Sequence, residues 1–415
     1  MKILPFICQS NLIPGFFYQS TCDNPSYRLG LAANNLPPAE GKYIVLIAVM
    51  DIWRLIRSST QQYGVPFFYD DLSPAVRADV KNGRAILVLD LSNEGPVIST
   101  DFFRALLLEM EACLSSKSRL LFVSQNRNLH GLMLFELPNG GTVRIEHLHY
   151  DYFIKEFAVS IDAGAGKSSI TALTHHPFYD QSKKRKLALC LNGATHNHRL
   201  LTCAALIHMN LLDESLVSYH GAASPKQTGG NDINALFEQF NKLSFLKESA
   251  HELIKLSPLF IDRPLGLGND LAFTFEVDHY DQTYFSIVTE TDFFCGEVDR
   301  LTEKSFKPAC LGHPFFIVGN PASIAAMESF GFDCFRDVFR HSYDLTEDPE
   351  DRFCLFLQDL AHVVAFIKNS PDDFVRKVAY GVSHNLHFAR FGFLNQYRMT
   401  VENAVFERMA YHLGL

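Results

Sequence analysis

The sequence predicts an α/β fold made of two Rossmann-like domains facing a cleft. Short apolar runs bounded by polar residues alternate with amphipathic helical stretches, a pattern typical of parallel sheets covered by helices. The alternation occurs twice, and an irregular polar segment around residues 160–182 separates the two occurrences. A length of 415 residues suits two domains. The cleft between two such domains is the default place for a ligand.

In the first half, three apolar runs are predicted to be strands buried on both faces: Lys42–Met50, Arg84–Leu91 and Arg119–Asn126. The stretch Ser99–Ser115 has apolar residues at helical spacing and capping residues at its start, so it is predicted to be a helix. This βα order predicts a parallel sheet, and we expect the first domain to span residues 1–175.

In the second half, three further strands are predicted: Arg185–Gly193, Thr283–Thr291 and His313–Gly319. Helical spacing predicts a helix over Asn197–Leu212. Another helix is predicted after the third strand, with Asn320 at its N-cap, Pro321 in its first turn and Gly331 just past its end. We expect this domain to span residues 176–380, and the helices at 381–415 to pack back on the first domain.

Composition excludes some classes of partner. A net charge of -9 argues against a general nucleic-acid binder, which needs a cationic surface to release counterions. The longest strongly apolar run, Tyr43–Met50, is far below the roughly 20 residues that span a bilayer. Nine cysteines without a CxxC pair, and an N-terminus unlike a signal peptide, predict a soluble cytoplasmic protein.

The segment Leu301–Pro321 is the first candidate site. A helix that starts after Thr302 directs unpaired backbone N–H groups and the positive end of its dipole at a ligand. Lys304 and Lys307 are three residues apart and can lie near one face, which suits a phosphate or diphosphate. Glu303 would suit hydroxyl groups of a sugar or ribose. The alternative is a surface helix of mixed charge.

Two more candidates follow predicted strands of the same domain. Asn192 ends one strand, and His198 and Arg199 open the next helix, where residues of open α/β sheets face the ligand crevice. Arg199 can donate two hydrogen bonds to a diphosphate, or it can pair with a neighbouring carboxylate. Glu290 and Asp292 follow another strand, and one of them is predicted to face the cleft.

Together these motifs resemble the nucleotide-sugar-binding half of a GT-B glycosyltransferase of the fucosyltransferase-like group (glycosyltransferase family 10-like). The likeness covers about residues 185–352. It is carried by an "LNxxxxxHR" element, an "ET…TEK…KP" element, a "G-hPFiivGnP" strand, and the "LxxxGF" and "SYD" motifs. The residues that fit are Asn192, His198, Arg199, Glu290, Thr291, Thr302, Glu303, Lys304, Lys307, Pro308, Gly312, Pro314, Phe315, Gly319, Pro321, Met327–Phe332 and Ser342–Asp344.

The resemblance implies transfer of a sugar from a nucleotide-diphosphate donor to a glycan acceptor held by the N-terminal domain. Arg199 and Lys304 would hold the diphosphate, Glu303 the hydroxyls, and no cofactor or metal would be needed because cationic side chains neutralise the leaving group. The chain departs from the family pattern at Gly193–Asn197, so the base and sugar of the donor stay open.

An inverting transferase also needs a general base near the acceptor. Glu94 follows a predicted strand and precedes a Gly-Pro turn, so it is the candidate base. The resemblance also favours a carboxylate in this region. The alternative is a solvated loop glutamate, and retention of configuration also remains open.

Two motifs point to other functions. The stretch Ala163–Ser169 suggests a phosphate-binding loop, but Ile161 stands where that motif requires glycine. His147, His149 and Asp151 would share one face of a strand and could bind zinc or iron in a hydrolase, with His175 or His176 as a fourth ligand. In a transferase, His149 or Asp151 could replace the base. A non-catalytic nucleotide-sugar-binding module is the third possibility.

Overall fold

The structure, a computed structural model, describes residues 1–8, 17, 20–32, 36–47, 72–92, 114–127, 131–137, 140–162, 181–221, 232–261, 276–294 and 298–415. The chain divides into two compact units. The first is Met1–Glu156 with Asn395–Leu415, and the second is Phe157–Leu394. Each unit carries a largely parallel sheet with helices between its strands, so the predicted α/β class is confirmed.

Several predictions fall on other residues. Glu94, His175, His176, the stretch Ala163–Ser169 and nearly all of the predicted helix Ser99–Ser115 lie outside the described residues. The same holds for the expected domain boundary at 175/176. The expected boundary at 380/381 falls inside a helix of the second unit.

Among the described residues, the N-terminal part of the first unit contains seven strands and two helices. These are β1 (Lys2–Cys8), β2 (Tyr27–Leu31), β3 (Tyr43–Ile47), α1 (Pro74–Asn82), β4 (Ala85–Leu91), β5 (Arg119–Ser124), β6 (Gly131–Glu136), β7 (Thr142–His149) and α2 (Tyr152–Asp162), which continues into the second unit. The strand order is β2-β1-β3-β4-β5-β7-β6, and only the β6–β7 pair is antiparallel. Every residue of β3 and β4 is buried, as their continuous apolar runs predict.

The second unit follows with four strands and eight helices among the described residues. These are β8 (Lys186–Asn192), α3 (Asn197–His208), β9 (Leu216–Tyr219), α4 (Ile233–Gln239), α5 (Lys247–Leu256), α6 (Val277–Gln282), β10 (Thr283–Thr289), α7 (Glu303–Cys310), β11 (Phe315–Val318), α8 (Ser323–Ser329), α9 (Pro349–Asn369) and α10 (Pro371–Phe391). Short 3-10 turns occupy Gln181–Lys183 and Asn241–Leu246.

The sheet of the second unit is parallel throughout, in the order β11-β10-β8-β9. The chain passes from β8 to β9 on one side and later places β10 on the other side of β8. The connections therefore diverge between β8 and β10, which makes this pair the topological switch point. In open α/β sheets, ligands bind outside the carboxyl ends of the strands at such a point.

One predicted helix start is wrong. α8 begins at Ser323 rather than at Pro321, and Ala322 precedes it with φ 64°. The cap comes from a distant residue, because Asp344 accepts hydrogen bonds from the N–H groups of Ile324 (2.7 Å) and Ala325 (3.1 Å). Asn320, the predicted cap, instead donates its side-chain amide to the Val298 carbonyl.

The chain ends in α11 (Phe393–Tyr397), a π-helical turn (Arg398–Glu402) and α12 (Asn403–Leu413). Residues from Asn395 onwards belong to the first unit. Tyr397 joins them to β7 and α2, since its hydroxyl contacts both the N–H and the carbonyl of Asp151 at 2.8 Å. In the part of the chain that the structure describes, no helix combines the length and apolar character needed to cross a bilayer.

Candidate functional site

Polar side chains gather at the switch point of the second unit. Asn192 is the last residue of β8, and α3 starts at Asn197. Glu290 directly follows β10, and α7 starts at Glu303 after an N-cap at Thr302, as predicted. The structure therefore brings the three predicted candidate motifs to one edge of one sheet.

Glu290 fastens the end of β10 to the start of α7. Its side chain is buried, and its two carboxylate oxygens accept hydrogen bonds from four donors. These are the Thr302 N–H (3.0 Å), the Thr302 hydroxyl (2.7 Å), the Ser305 hydroxyl (2.5 Å) and the Thr291 N–H (3.2 Å). A buried carboxylate needs such donors to offset its lost hydration. Glu290 thus shapes the site rather than offering free oxygens to a ligand.

Asn192 is also occupied within the protein. Its amide donates to the sulfur atoms of Cys190 (3.2 Å) and Cys203 (3.4 Å), and its carbonyl oxygen accepts from the Thr289 hydroxyl at 2.6 Å. The residue is fully buried. Asn192 therefore ties β8 to β10 and α3, and it sets the spacing of the two strand ends.

His198 supports the same loop. Burial, with the Arg199 charge as a second cause, holds the pKa of His198 well below its ordinary value, so the ring is neutral. A neutral ring has one N–H, and Nε2 donates it to the Glu290 carbonyl at 2.7 Å. The ring also stacks on Phe293 at 5.6 Å between centroids. His198 thus orients the backbone that follows β10.

Arg199 is the unusual group of this cluster. The residue is only 4% exposed, and its guanidinium donates to the carbonyls of Ala194 (3.2 Å) and Glu290 (3.2 Å), with the Thr289 carbonyl at 3.5 Å. Among the described residues no carboxylate forms an ion pair with it, and its buried Nε has no hydrogen-bond partner. Burial lowers the pKa of Arg199 below its ordinary value, but an arginine in a protein keeps its charge. The site therefore holds a buried positive charge without a direct ion-pair partner among the described residues, and the negative charges of Glu290, Glu303 and Asp292 act on it from beyond ion-pair distance.

The start of α7 adds cations with access to solvent. Lys304 is 34% exposed, and its Nζ lies 3.1 Å from both the Glu303 carboxylate and the Thr302 hydroxyl. Burial opposes ionisation of Glu303, but Lys304 and Lys307 outweigh it and hold the pKa of Glu303 below its ordinary value. Glu303 is therefore a charged acceptor that is 14% exposed.

His196, the N-cap residue of α3, lies near these charges. Burial, followed by Arg199 and with a smaller contribution from Lys304, lowers the pKa of His196 to about 4. Both predicted diphosphate-binding cations therefore act on the same imidazole ring. Burial is the largest cause of this low pKa, and the nearby positive charges add to it.

The sequence did not indicate two supporting residues. Ser305 lies three residues after the N-cap, but its hydroxyl donates to Glu290, which is 15 residues away in the sequence, so no local spacing could indicate this bond. Arg352 of α9 is buried, donates to the Phe293 carbonyl and lies 4.6 Å from the centroid of the Phe293 ring. It also donates to the carbonyls of Thr346 (2.6 Å) and Glu347 (2.9 Å). Arg352 is 59 residues from Phe293, so no local pattern could indicate this contact.

The alternative metal site of the first unit does not have the geometry that the sequence suggested. β7 ends at His149, so Asp151 does not share a strand face with the two histidines. Asp151 instead precedes α2, and its carboxylate accepts from the Ile154 N–H at 2.9 Å and the Gln125 amide at 3.2 Å. His147 contacts the Ser124 hydroxyl at 2.8 Å. Within the described ranges, no group of three His, Cys, Asp or Glu side chains is placed to hold a metal ion.

Comparisons with known proteins do not show the family of this chain. No protein-family model matches the sequence, and no curated protein matches it. Among solved structures, the chain is similar to the crystal structure of an alpha,alpha-trehalose-phosphate synthase (UDP-forming) from Burkholderia vietnamiensis. The two share 12% sequence identity with a TM-score of 0.38, over 88% of this chain and 75% of that one. Because the sequence identity and the TM-score are this low, the similarity supports no conclusion about the fold or the activity of this chain.

Proposed function

We propose that the protein is a GT-B-type glycosyltransferase that moves a sugar from a nucleotide-diphosphate donor to a glycan acceptor. The observation that carries this proposal is Arg199, a buried guanidinium without an ion-pair partner among the described residues, at the carboxyl ends of β8 and β10. A dianionic diphosphate is the kind of group that such a cation stabilises, most of all as a leaving group. The sequence motifs at the same strand ends support this choice.

The roles divide by exposure. Asn192, His198, Glu290 and Thr302 are buried and bonded within the protein, so they position the loops. Lys304 and Lys307 are partly exposed and would contact the diphosphate, while the charge of the buried Arg199 would stabilise it from within the protein. Glu303 would accept hydrogen bonds from donor hydroxyls. Glu94, in the N-terminal region, would act as base on the acceptor in a direct displacement with inversion.

The test is a thermal-shift screen with GDP-, UDP- and CDP-linked sugars. One donor class should raise the melting temperature, and Lys304→Ala should abolish most of that shift because it removes a partly exposed cation at the start of α7. Lys368→Ala is the matched control, since this exposed lysine of α9 pairs with Glu214 instead. If the donor raises the melting temperature of Lys304→Ala as much as that of the wild type, the donor does not bind at the start of α7.

Turnover separates the transferase from a binding module. Slow hydrolysis of the stabilising donor should be measurable in the wild type and lost in Glu94→Gln, because water replaces the acceptor and still needs a base. Binding without any hydrolysis or transfer would favour a non-catalytic module.

A further inference from the structure

A second cluster of cations lies in the first unit, at a small cavity of about 130 Å³. The charged and titratable side chains around it are Arg119, Arg144, Glu146, Arg408 and His412. Three arginines face one glutamate there. The cavity lies near the amino ends of β5 and β7, whereas ligands of open α/β sheets bind at the carboxyl ends.

Sheet geometry forces two of the arginines together. Arg119 and Arg144 are direct partners in the parallel pairing of β5 and β7, so their side chains leave the same face of the sheet. Neighbouring strands are only about 4.8 Å apart. Like charges placed side by side in a sheet are destabilising unless a counter-charge joins them.

Glu146 does not supply that counter-charge. It lies two residues after Arg144 on the same face, but Arg408 of α12 donates to one of its oxygens and His412 contacts the other at 2.9 Å. Both partners of Glu146 thus come from α12, which covers this face. The Glu146 carboxylate therefore binds α12 to the sheet, and it does not pair with Arg119 or Arg144.

The remaining donors point to an external anion. Arg119 uses Nη1 for the carbonyls of Ser116 (3.1 Å), Lys117 (3.1 Å) and Ser118 (2.9 Å), which fixes the position of its guanidinium. Arg144 is exposed and has no hydrogen-bond or ion-pair partner among the described residues. An arginine offers five N–H donors in a planar fork, so both side chains keep donors for a ligand.

We propose that this arginine cavity binds a phosphate group, held between Arg119 and Arg144 with Arg408 at its edge. Arginine forks match phosphate oxygens in pairs, and a tetrahedral dianion supplies the missing counter-charge. The cavity is below the roughly 300–1,000 Å³ of sites for drug-sized ligands, so it admits the phosphate of a phosphomonoester rather than a whole nucleotide sugar. The proposal does not depend on the transferase activity.

Titration calorimetry of the full chain with inorganic phosphate at low ionic strength tests this site. Arg144→Gln should weaken phosphate binding by about tenfold or more, because it removes a charged two-pronged donor without breaking a bond in the protein. Arg28→Gln is the matched control, since Arg28 is an exposed arginine of β2 in the same sheet but outside the cavity. Lys304→Ala controls for phosphate bound in the second unit, and it should leave this binding intact.

A vesicle arm identifies the source of the phosphate. Binding that requires Arg144 to phosphatidylcholine vesicles containing phosphatidic acid, and not to phosphatidylcholine alone, would assign a lipid headgroup. Binding of free phosphate without vesicle binding would assign a soluble phosphate compound. The site is wrong if the wild type binds neither probe, or if Arg144→Gln and Arg28→Gln behave alike.

Discussion

Each unit of the protein buries a cation, and the two cations have different kinds of hydrogen-bond partner. Lys155 in the first unit is fully buried and contacts two carboxylates, Glu402 at 2.6 Å and Asp23 at 2.9 Å. Arg199 in the second unit is almost as deeply buried, but backbone carbonyls are its only hydrogen-bond partners among the described residues. Carbonyl oxygens satisfy N–H donors without cancelling the charge. Lys155 therefore fits a structural role. Arg352 is also buried, and among the described residues it also donates only to carbonyls. Arg199 differs from Arg352 because it lies at the carboxyl ends of β8 and β10, near the partly exposed Lys304, and this position fits a role with an anionic ligand.

The surroundings of the two cations fit this difference. Glu402, the partner of Lys155, also accepts from the Asn24 amide, so the π-helical turn is fixed to the N-terminal segment. Asp23, the second partner, pairs with Arg398 as well. Around Arg199, by contrast, the neighbouring cation Lys304 stays partly exposed, and the pKa of His196 is lowered. We call the Lys155 network closed because carboxylates of the protein pair with its cation, and the Arg199 network open because no carboxylate among the described residues forms an ion pair with Arg199.

The largest expected effect is on stability and comes from breaking the closed network. Lys155→Met should cost about 3–5 kcal/mol of unfolding free energy, because it leaves the fully buried Glu402 carboxylate without its cation. Hydrogen exchange of the β1 and α12 amides under urea would measure the loss in the first unit. The double variant Lys155→Met/Glu402→Leu should recover part of it, since no buried charge is then left alone.

The exposed pair Lys368–Glu214 is the control for this prediction. Both side chains are more than a third exposed, so Lys368→Met should cost at most about 1 kcal/mol. Equal losses in Lys155→Met and Lys368→Met would mean that the buried network does not hold the C-terminal segment.

Replacing Arg199 should weaken ligand binding as well as lower stability. Its effect on stability should be smaller than that of Lys155→Met. Arg199→Met leaves the carbonyls of Ala194 and Glu290 without their donor and should cost about 1–3 kcal/mol. It should weaken binding of GDP or UDP by about ten- to a hundredfold, because the charge on the diphosphate loses its buried partner. Arg199→Lys should restore part of the binding, since it keeps the charge but loses the fork.

Calorimetry on the folded variants measures this second effect, and Asn192 provides a contrast. Asn192→Ala removes only bonds within the protein, so its losses should fall mainly on stability. If Arg199→Met bound GDP or UDP with the wild-type affinity, Arg199 would not be the cation that stabilises the diphosphate.

The sequence predicted the structural features that depend on residues close together in the chain. The buried runs gave β4 and β8 to within one residue at each end, and Thr302 gave the start of α7 through its own side chain. The failures involve contacts between distant residues. α8 starts late because Asp344 caps it from 20 residues away. The Lys155–Glu402 pair joins residues 247 apart, and no periodicity or spacing encodes such a contact.

The candidate site shows the same limit. The strand ends and the residue types around them were predicted, because parallel strands bring their carboxyl ends to one edge. Which of those residues are bonded within the protein was not predictable, since it depends on the four donors that meet at Glu290 and on the sulfur atoms beside Asn192. Lys304 differs from the buried residues Asn192 and Glu290 in its exposure to solvent, which the sequence does not reveal.

The smallest expected effect is a shift in titration at His196. NMR should find its midpoint near pH 4, and because the folded pKa lies below the unfolded value of 6.5, the ring opposes folding as pH falls from 6.5 towards 4. His196→Gln should therefore reduce the loss of stability over that window. Lys304→Ala should raise the midpoint by removing a nearby positive charge, whereas the distant Lys368→Ala should not. Burial is the largest cause of the low pKa, so the variant carries the electrostatic test: an unchanged midpoint in Lys304→Ala would contradict a positive potential at His196.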